Sequence, residues 1–367
     1  MFEISNSKNE LDKFIDWHIQ NADVPVFLYG AGHGMRWYSK IMKQYNVPVE
    51  GIIDGKLVGG AYYQLEGHFV YSLQRICEHY SDAIIVISAP AYRREIYKRI
   101  QEEASHYKIA VFDPILDIIP GNSWRQRKEY FESKKSELII LREILADDLS
   151  KVTLDRYLEG LVTNSCECYS AIHCDSQYFP DIVMQKLGNS ETFVDVGAYV
   201  GDSIQEFIDA TSDCYKKIIA FEPDPYNYEK AKGTILDKRI EWYQKGIGEK
   251  NETKYFQNET GELNEAAHVV TGEDGATSKI EIVSLDDFIK EEVTYIKMDI
   301  EGMELSAIKG ASNLISRQKP KLAISIYHRT EDIVEIPRLI LQLNPEYNLH
   351  LRHFWESNGS DTVLFAL

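Results

Sequence analysis

The sequence predicts an α/β protein made of two doubly wound parallel-sheet domains joined by a helical segment. Three observations predict it. Short apolar runs alternate with stretches of helical period in both halves of the chain. The first run of each half ends in a glycine-rich turn that opens a helix. An acid closes the next run, about twenty residues past that turn: Asp54 in the first half and Glu222 in the second.

The elements follow in order. In residues 8–21, Leu11, Phe14, Ile15, His18 and Ile19 fall on one helical stripe, and Pro25 stops it, giving an N-terminal helix within 1–22. Residues 23–118 read as a Rossmann-like, nucleotide-binding-like domain. Its strands are expected at 26–29, 49–53, 83–87 and 109–112, with helices after the glycine turn at 30–34 and over 92–105. Residues 119–188 change character. Leu138, Ile139, Leu141, Ile144 and Leu145, then Leu154, Tyr157, Leu158 and Leu161, fall at helical spacing, so two or three linking helices are expected. The second α/β domain, 189–367, should hold strands at 192–196, 217–221, 240–244, 294–298 and 321–327. Its last pair, 347–355 and 362–367, reads as an antiparallel hairpin added to a parallel sheet.

Composition narrows the function. A chain of 367 residues has room for two domains. Its net charge of −18 repels a phosphate backbone, so a nucleic-acid polymer is not an expected partner. No apolar run reaches bilayer length, and the N-terminus carries no basic segment or signal-peptide core. With five cysteines, an odd number, the expectation is a cytoplasmic protein with reduced thiols. Cys166 and Cys168 form a C-x-C, a poorer zinc chelate than paired C-x-x-C knuckles, and read as small buried side chains.

The chemistry gathers at strand ends, because an open parallel sheet binds its ligand beyond the carboxyl ends of its strands. The segment FVDVGAYVGDS at 193–203 delivers Asp195, Gly197 and Gly201. IIAFEPDP at 218–225 delivers Glu222, whose carboxylate suits ribose hydroxyls. YIKMDIEG at 295–302 delivers Asp299, and KLAISIYH at 321–328 delivers Tyr327 and His328. An acid after a strand is more often a helix cap, but four strand ends in register make a site. The glycine pattern is D-x-G-x-x-x-G, not G-x-G-x-x-G. That spacing suits a ligand without a pyrophosphate, and S-adenosylmethionine is the cofactor it points to.

The succession VDVGAYVGDS, FEPDP, VSLDDF, IKMDIEGMELSAIKGA and PKLAISIYH resembles the FkbM-type family of S-adenosylmethionine-dependent methyltransferases, over about residues 189–367. SQYF at 176–179 is similar to a subgroup of that family. The resemblance implies a class I methyltransferase fold with an antiparallel last strand and O-methylation of sugars, polyketides or other small hydroxylated molecules. It places Asp195, Gly197, Ala198, Tyr199, Gly201, Asp202 and Ser203 along the cofactor, Glu222 and Pro223 at its ribose, and Asp299 beside it. Tyr199 and Val200 depart from the commoner pattern, where an acid or small polar residue follows the first glycine, and reshape the pocket. The expected acceptor is a small molecule or nucleotide-linked sugar, in surface-glycan biosynthesis.

Methyl transfer to a hydroxyl needs the acceptor held in line and its proton accepted. His328 is the candidate base, since an imidazole can be neutral at pH 7; the alternative is a strand-end histidine bonded to a carbonyl. Asp299 either orients His328 or binds Mg2+ or Mn2+ together with Glu301. Glu304 reads as a helix-dipole residue, and Asp286 and Asp287 as helix caps. His268 lies in a polar loop over 257–278.

In the first domain, Gly30, Gly32, His33 and Gly34 with Asp54 form a second candidate nucleotide site. The stretch resembles the N-terminal nucleotide-sugar-binding domains of sugar-modifying acyltransferases, which implies that it holds the nucleotide end of an activated sugar. The alternative is a degenerate domain that only docks or dimerises, and a homo-oligomer is compatible with it. Two other functions compete: an NAD-dependent oxidoreductase, and a non-catalytic nucleotide-sensing protein using the first domain.

Overall fold

A computed structural model describes residues 8–114, 117, 122–257, 268–270 and 278–367. The chain divides into two compact units. Unit 1 takes residues 1–135, 152–173 and 355–359; unit 2 takes 136–151, 174–354 and 360–367. The helical stretch expected as a linker is thus shared between them. It forms helices Trp124–Ser133, Lys135–Ile144, Asp148–Thr163, Cys166–Ser170 and Asp181–Met184.

Unit 1 is built on β1 (Val26–Tyr29), β2 (Val49–Ile53), β3 (Tyr62–Leu65), β4 (His68–Tyr71), β5 (Ile84–Ile87) and β6 (Lys108–Ala110), in the order β3-β4-β2-β1-β5-β6. β1 is buried along its whole length. Val26 and Leu28 enter one core, and Phe27 and Tyr29 enter another. That is why the strand reads as a continuous apolar run and not as an alternation. The hairpin β3–β4 escapes the sequence reading. Its two-residue turn is Glu66-Gly67, both at positive φ (50° and 83°), with Glu66 where Asn or Asp is usual. The N-terminal helix Glu10–Gln20 is capped by Asn9, whose side chain accepts the Leu11 and Asp12 amides. Ile19, expected on its buried stripe, is exposed.

Unit 2 holds β7 (Thr192–Val196), β8 (Lys217–Phe221), β9 (Ile240–Tyr243), β10 (Gly246–Ile247), β11 (Glu252–Gln257), β12 (His268–Val270), β13 (Ser278–Val283), β14 (Tyr295–Met298), β15 (Lys321–Ser325), β16 (Leu349–His353) and β17 (Thr362–Ala366). Its main sheet runs β16-β17-β15-β14-β7-β8-β9. β7, β8, β9, β14 and β15 pair in parallel, and β17 pairs antiparallel with both β15 and β16. The expected terminal hairpin is present, with its second strand inserted beside β15. From β7 the chain winds one way to β8 and β9, then returns to the other side as β14 and β15. The switch point therefore lies between β7 and β14, where a ligand crevice is expected. A smaller sheet, β10-β13-β11-β12, was not foreseen. It draws in the segment around His268, read as a loop; His268 opens β12.

Candidate active site

The glycine turn after β7 is dictated by close packing. Gly197 has φ +85°, and a Cβ there would stand 2.0 Å from the Asp299 carbonyl oxygen. Gly201 has φ +88°, and its Cβ would stand 2.7 Å from Ile235 Cδ1. Both positions demand glycine. The Gly197 and Ala198 amides each donate to Phe221 O at 3.0 Å, so the turn is fixed to the end of β8. Tyr199 also sits at positive φ (46°), a strain an L residue tolerates only when its surroundings impose it. Helix Asp202–Ala210 starts here, with Gly201 at its N-cap and no side chain capping it.

Glu222 closes β8 and is 6% exposed. Its Oε2 accepts the Tyr199 amide at 2.8 Å and its Oε1 accepts the Asp224 amide at 2.9 Å. Each carboxylate oxygen keeps a second lone pair for a ligand hydroxyl. Burial pushes the Glu222 carboxyl up to about 7 against the pull of those two amides. Pro223 follows, and Asp224 is spent capping helix Pro225–Thr234 through the Tyr226 and Asn227 amides.

Asp195 behaves differently. It is 0% exposed, its Oδ2 accepts the Ser203 hydroxyl at 2.5 Å, and Lys297 Nζ lies 3.1 Å from its Oδ1. Asp195 and Lys297 face one another in the β7–β14 register. The lysine also donates to Gly197 O at 2.5 Å and sits 5.0 Å from the Tyr178 ring centroid. Burial opposes the lysine's charge, but Asp195 and Asp299 carry its pKa upward. The carboxylate expected along the cofactor is therefore turned into the protein, where with Ser203 and Lys297 it fixes the turn. Asp202 is exposed at the helix start. The signal for Lys297 was present in the sequence: a lysine inside an apolar strand needs a buried partner.

At the end of β14, Asp299 is gripped on several sides. Its Oδ2 accepts the Tyr178 hydroxyl at 2.6 Å, and its Oδ1 accepts the Tyr327 hydroxyl at 3.3 Å and lies 3.4 Å from His328 Nε2. Burial works to raise its pKa, but His328, Lys297 and the Tyr178 hydroxyl hold it below the usual value. Tyr178 was missed as a functional residue. Only the tertiary structure brings it to β14, where the Tyr295 hydroxyl fixes its carbonyl at 2.6 Å and Gln177 Nε2 donates to its hydroxyl at 3.0 Å.

His328, the candidate base, stands among three carboxylates. Glu304 Oε1 lies 2.9 Å from its Nδ1, and Glu301 Oε2 lies 3.6 Å from its Nε2. Burial would lower its pKa, but Glu304, Glu301 and Asp299 carry it well above the ordinary histidine value. With no cation beside it, this surrounding favours a proton on the ring. Glu304 is no surface helix-dipole residue. It is 0% exposed, and its Oε1 accepts the Ile300 amide at 2.8 Å. Burial and the Asp299 charge push nearby Asp361 up to about 6. Asp286 does cap a helix, but a later one: its carboxylate takes the Asn313 and Leu314 amides of Ser312–Gln318. Ser284, not Asp286 or Asp287, caps helix Leu285–Phe288.

In unit 1, Gly30 has φ +130° and its Cβ would stand 2.6 Å from Ala89 Cβ; that of Gly34 would stand 2.4 Å from Ser88 O. Gly32 has no such neighbour within 4 Å. His33 opens helix His33–Gln44. Asp54 accepts the Lys56 amide at 2.9 Å and the Tyr63 hydroxyl at 3.1 Å. Cys166 and Cys168 are buried, and burial raises both thiols. Among the described residues no helix is long and apolar enough to cross a membrane.

The ends of β7, β8 and β14 and the segment after β15 thus carry a glycine turn, a buried carboxylate and an acid–imidazole group, the strand-end arrangement of an α/β fold. Residues 195–359 match the family described as the methyltransferase FkbM domain. The crystal structure of methyltransferase FkbM from Methylobacillus flagellatus KT is 25% identical, with a TM-score of 0.73 over 94% of this chain and 90% of that one. Aeropyrum pernix fibrillarin, with natively bound S-adenosyl-L-methionine, is 11% identical with a TM-score of 0.32, covering 49% of this chain and 69% of that one. A Streptococcus mutans chain in complex with SAH is 13% identical with a TM-score of 0.33, covering 51% and 93%. No curated protein matches the chain.

Proposed function

We propose that the protein is an S-adenosylmethionine-dependent O-methyltransferase acting on a hydroxyl of a sugar, nucleotide sugar or other small hydroxylated metabolite, in the cytoplasm and in surface-glycan biosynthesis. One observation carries the reading. Gly197, Gly201 and Glu222 form a cradle at the switch point, and Asp299 stands at the neighbouring strand end, its carbonyl against Gly197. The residues fit the cofactor: the buried Glu222 carboxylate, held by two amides, keeps lone pairs for a ribose diol. When bound, S-adenosylmethionine supplies an electrophilic methyl on a cationic sulfur.

The chain's own residues do the rest. Glu222 accepts the ribose hydroxyls, and the amides of Tyr199 and Asp224 hold its carboxylate in place. Asp299 presents an ionised carboxylate at the rim, aimed by Tyr178 and Tyr327, and accepts a hydrogen bond from the acceptor's hydroxyl. His328 and Lys297 pull its pKa below the usual value against the effect of burial. The net charge of −18 and the acid-rich rim disfavour a polynucleotide acceptor. The nucleotide-sugar reading of Gly30, Gly32, His33, Gly34 and Asp54 is supported by Gly32, which stands at an uncapped helix N-terminus with open space around it.

A thermal-shift panel of S-adenosylhomocysteine, NADH and nucleotide sugars tests the reading, since a ligand raises the midpoint by mass action. S-adenosylhomocysteine should raise it. A response to NADH alone would replace the methyltransferase with an oxidoreductase.

A further inference from the structure

Asp299, Glu304 and His328 come from the end of β14, the start of helix Glu304–Lys309 and the segment after β15. Each brings one ligand atom into a common space, all within 4.8 Å of one another. Two features separate this group from a surface cluster of acids. Glu304 Oε2 is buried and makes no hydrogen bond. The His328 side chain is 8% exposed, and neither ring nitrogen makes an aligned hydrogen bond, although carboxylate oxygens stand 2.9, 3.4 and 3.6 Å away. Even a doubly protonated ring offers only two N–H directions, and the carboxylates arrive off both of them. A metal ion against one ring nitrogen gathers that nitrogen with an oxygen of Asp299 and of Glu304. Lys297 acts on Asp299 only through space, for its ammonium is bonded to Asp195 and the Gly197 carbonyl.

We propose that Asp299, Glu304 and His328 form a divalent-cation site at the carboxyl ends of β14 and β15. Two carboxylates and one imidazole suit Mn2+ better than Mg2+ or Ca2+, which favour oxygen donors throughout. Three protein ligands leave positions for water and for an acceptor hydroxyl, which the cation polarises. Glu301, the second carboxylate expected from the sequence, has a side chain 38% exposed and stands outside the set of three. Binding of the ion is independent of the methyltransferase reading; only its use in the reaction rests on it.

The test is titration of Mn2+ into the full chain, with free Mn2+ followed by its electron paramagnetic resonance signal. Saturable binding of a single Mn2+ is expected, weakened at least ~10-fold in His328→Gln and Glu304→Gln. S-adenosylhomocysteine binding on the same preparations reports folding and the cofactor cradle. If Glu304→Gln does not fold, His328→Gln and Asp299→Asn carry the comparison. No binding up to about 1 mM Mn2+, or equal binding by wild type and the folded variants, overturns the site. Mn2+ binding without S-adenosylhomocysteine binding sinks the methyltransferase reading and leaves the cation site. The converse sinks the cation site alone.

Discussion

The two glycine turns of this protein start from the same local code and end in different chemistry. Each follows the first strand of a parallel sheet, and each opens a helix. In unit 1, Gly30 and Gly34 make room for Ala89 and Ser88 just past the neighbouring strand β5. In unit 2, Gly197 makes room for the Asp299 carbonyl just past the neighbouring strand β14. The packing logic is shared; what comes next is not. Asp54 is partly exposed and answers its own loop through Lys56 and Tyr63. Glu222 is buried and tied to the glycine turn by the Tyr199 amide, while Tyr178 and His328 meet Asp299 at the end of β14. A glycine turn establishes how strand and helix pack. The buried carboxylate and the neighbouring strand end make it a site.

The largest expected effect tests the shared packing. Gly197→Ala places a Cβ 2.0 Å from a backbone oxygen at positive φ, and Gly34→Ala places one 2.4 Å from Ser88 O. Each should destabilise its unit by about 2–4 kcal/mol in denaturant unfolding. Only Gly197→Ala should abolish S-adenosylhomocysteine binding in calorimetry; wild-type binding there would break the comparison. Next in size, Glu222→Ala should weaken that binding about 100-fold, through loss of hydrogen bonds to a charged group. Asp54→Ala should leave it within about 2-fold.

The pH response sharpens the same contrast. Glu222 titrates near 7 in the fold against 4.5 unperturbed, so below that point it is protonated and a poorer acceptor. Affinity for S-adenosylhomocysteine should rise from about pH 6 to pH 8 in wild type and stay flat in Glu222→Gln. The stability contribution has the opposite sign. An acid with a raised folded pKa favours the fold below its unfolded value and loses that contribution as pH rises through about 7. Glu222→Gln should therefore gain stability relative to wild type above that pH. The smallest effect belongs to Gly32→Ala, where no atom lies within 4 Å and φ is −97°. Stability should change by less than about 0.5 kcal/mol. If the first unit holds a nucleotide sugar, the same change should reduce its thermal shift, and an unchanged shift removes Gly32 from that site.

The chain's local order alone determined β1, β2, β5 and β6 of the first sheet, the parallel strands of the second unit's main sheet, the glycine turns, the acids that close the next strands and that sheet's antiparallel end. Apolar runs, strand-ending acids and glycines at fixed offsets are properties of neighbouring residues, so they survive in a linear reading. Contacts between distant segments do not. The Glu66-Gly67 hairpin stayed hidden because Glu is an unusual residue at a positive-φ turn position. Tyr178 reaches Asp299 across 121 positions, and Lys297 reaches Asp195 across neighbouring strands. Which way the His328 pKa moves, and whether Glu304 is a surface or a buried carboxylate, depend on burial and on how many like charges converge on one ring. Those quantities belong to three-dimensional neighbourhoods, because desolvation and Coulomb energy depend on distance through space and not on separation along the chain.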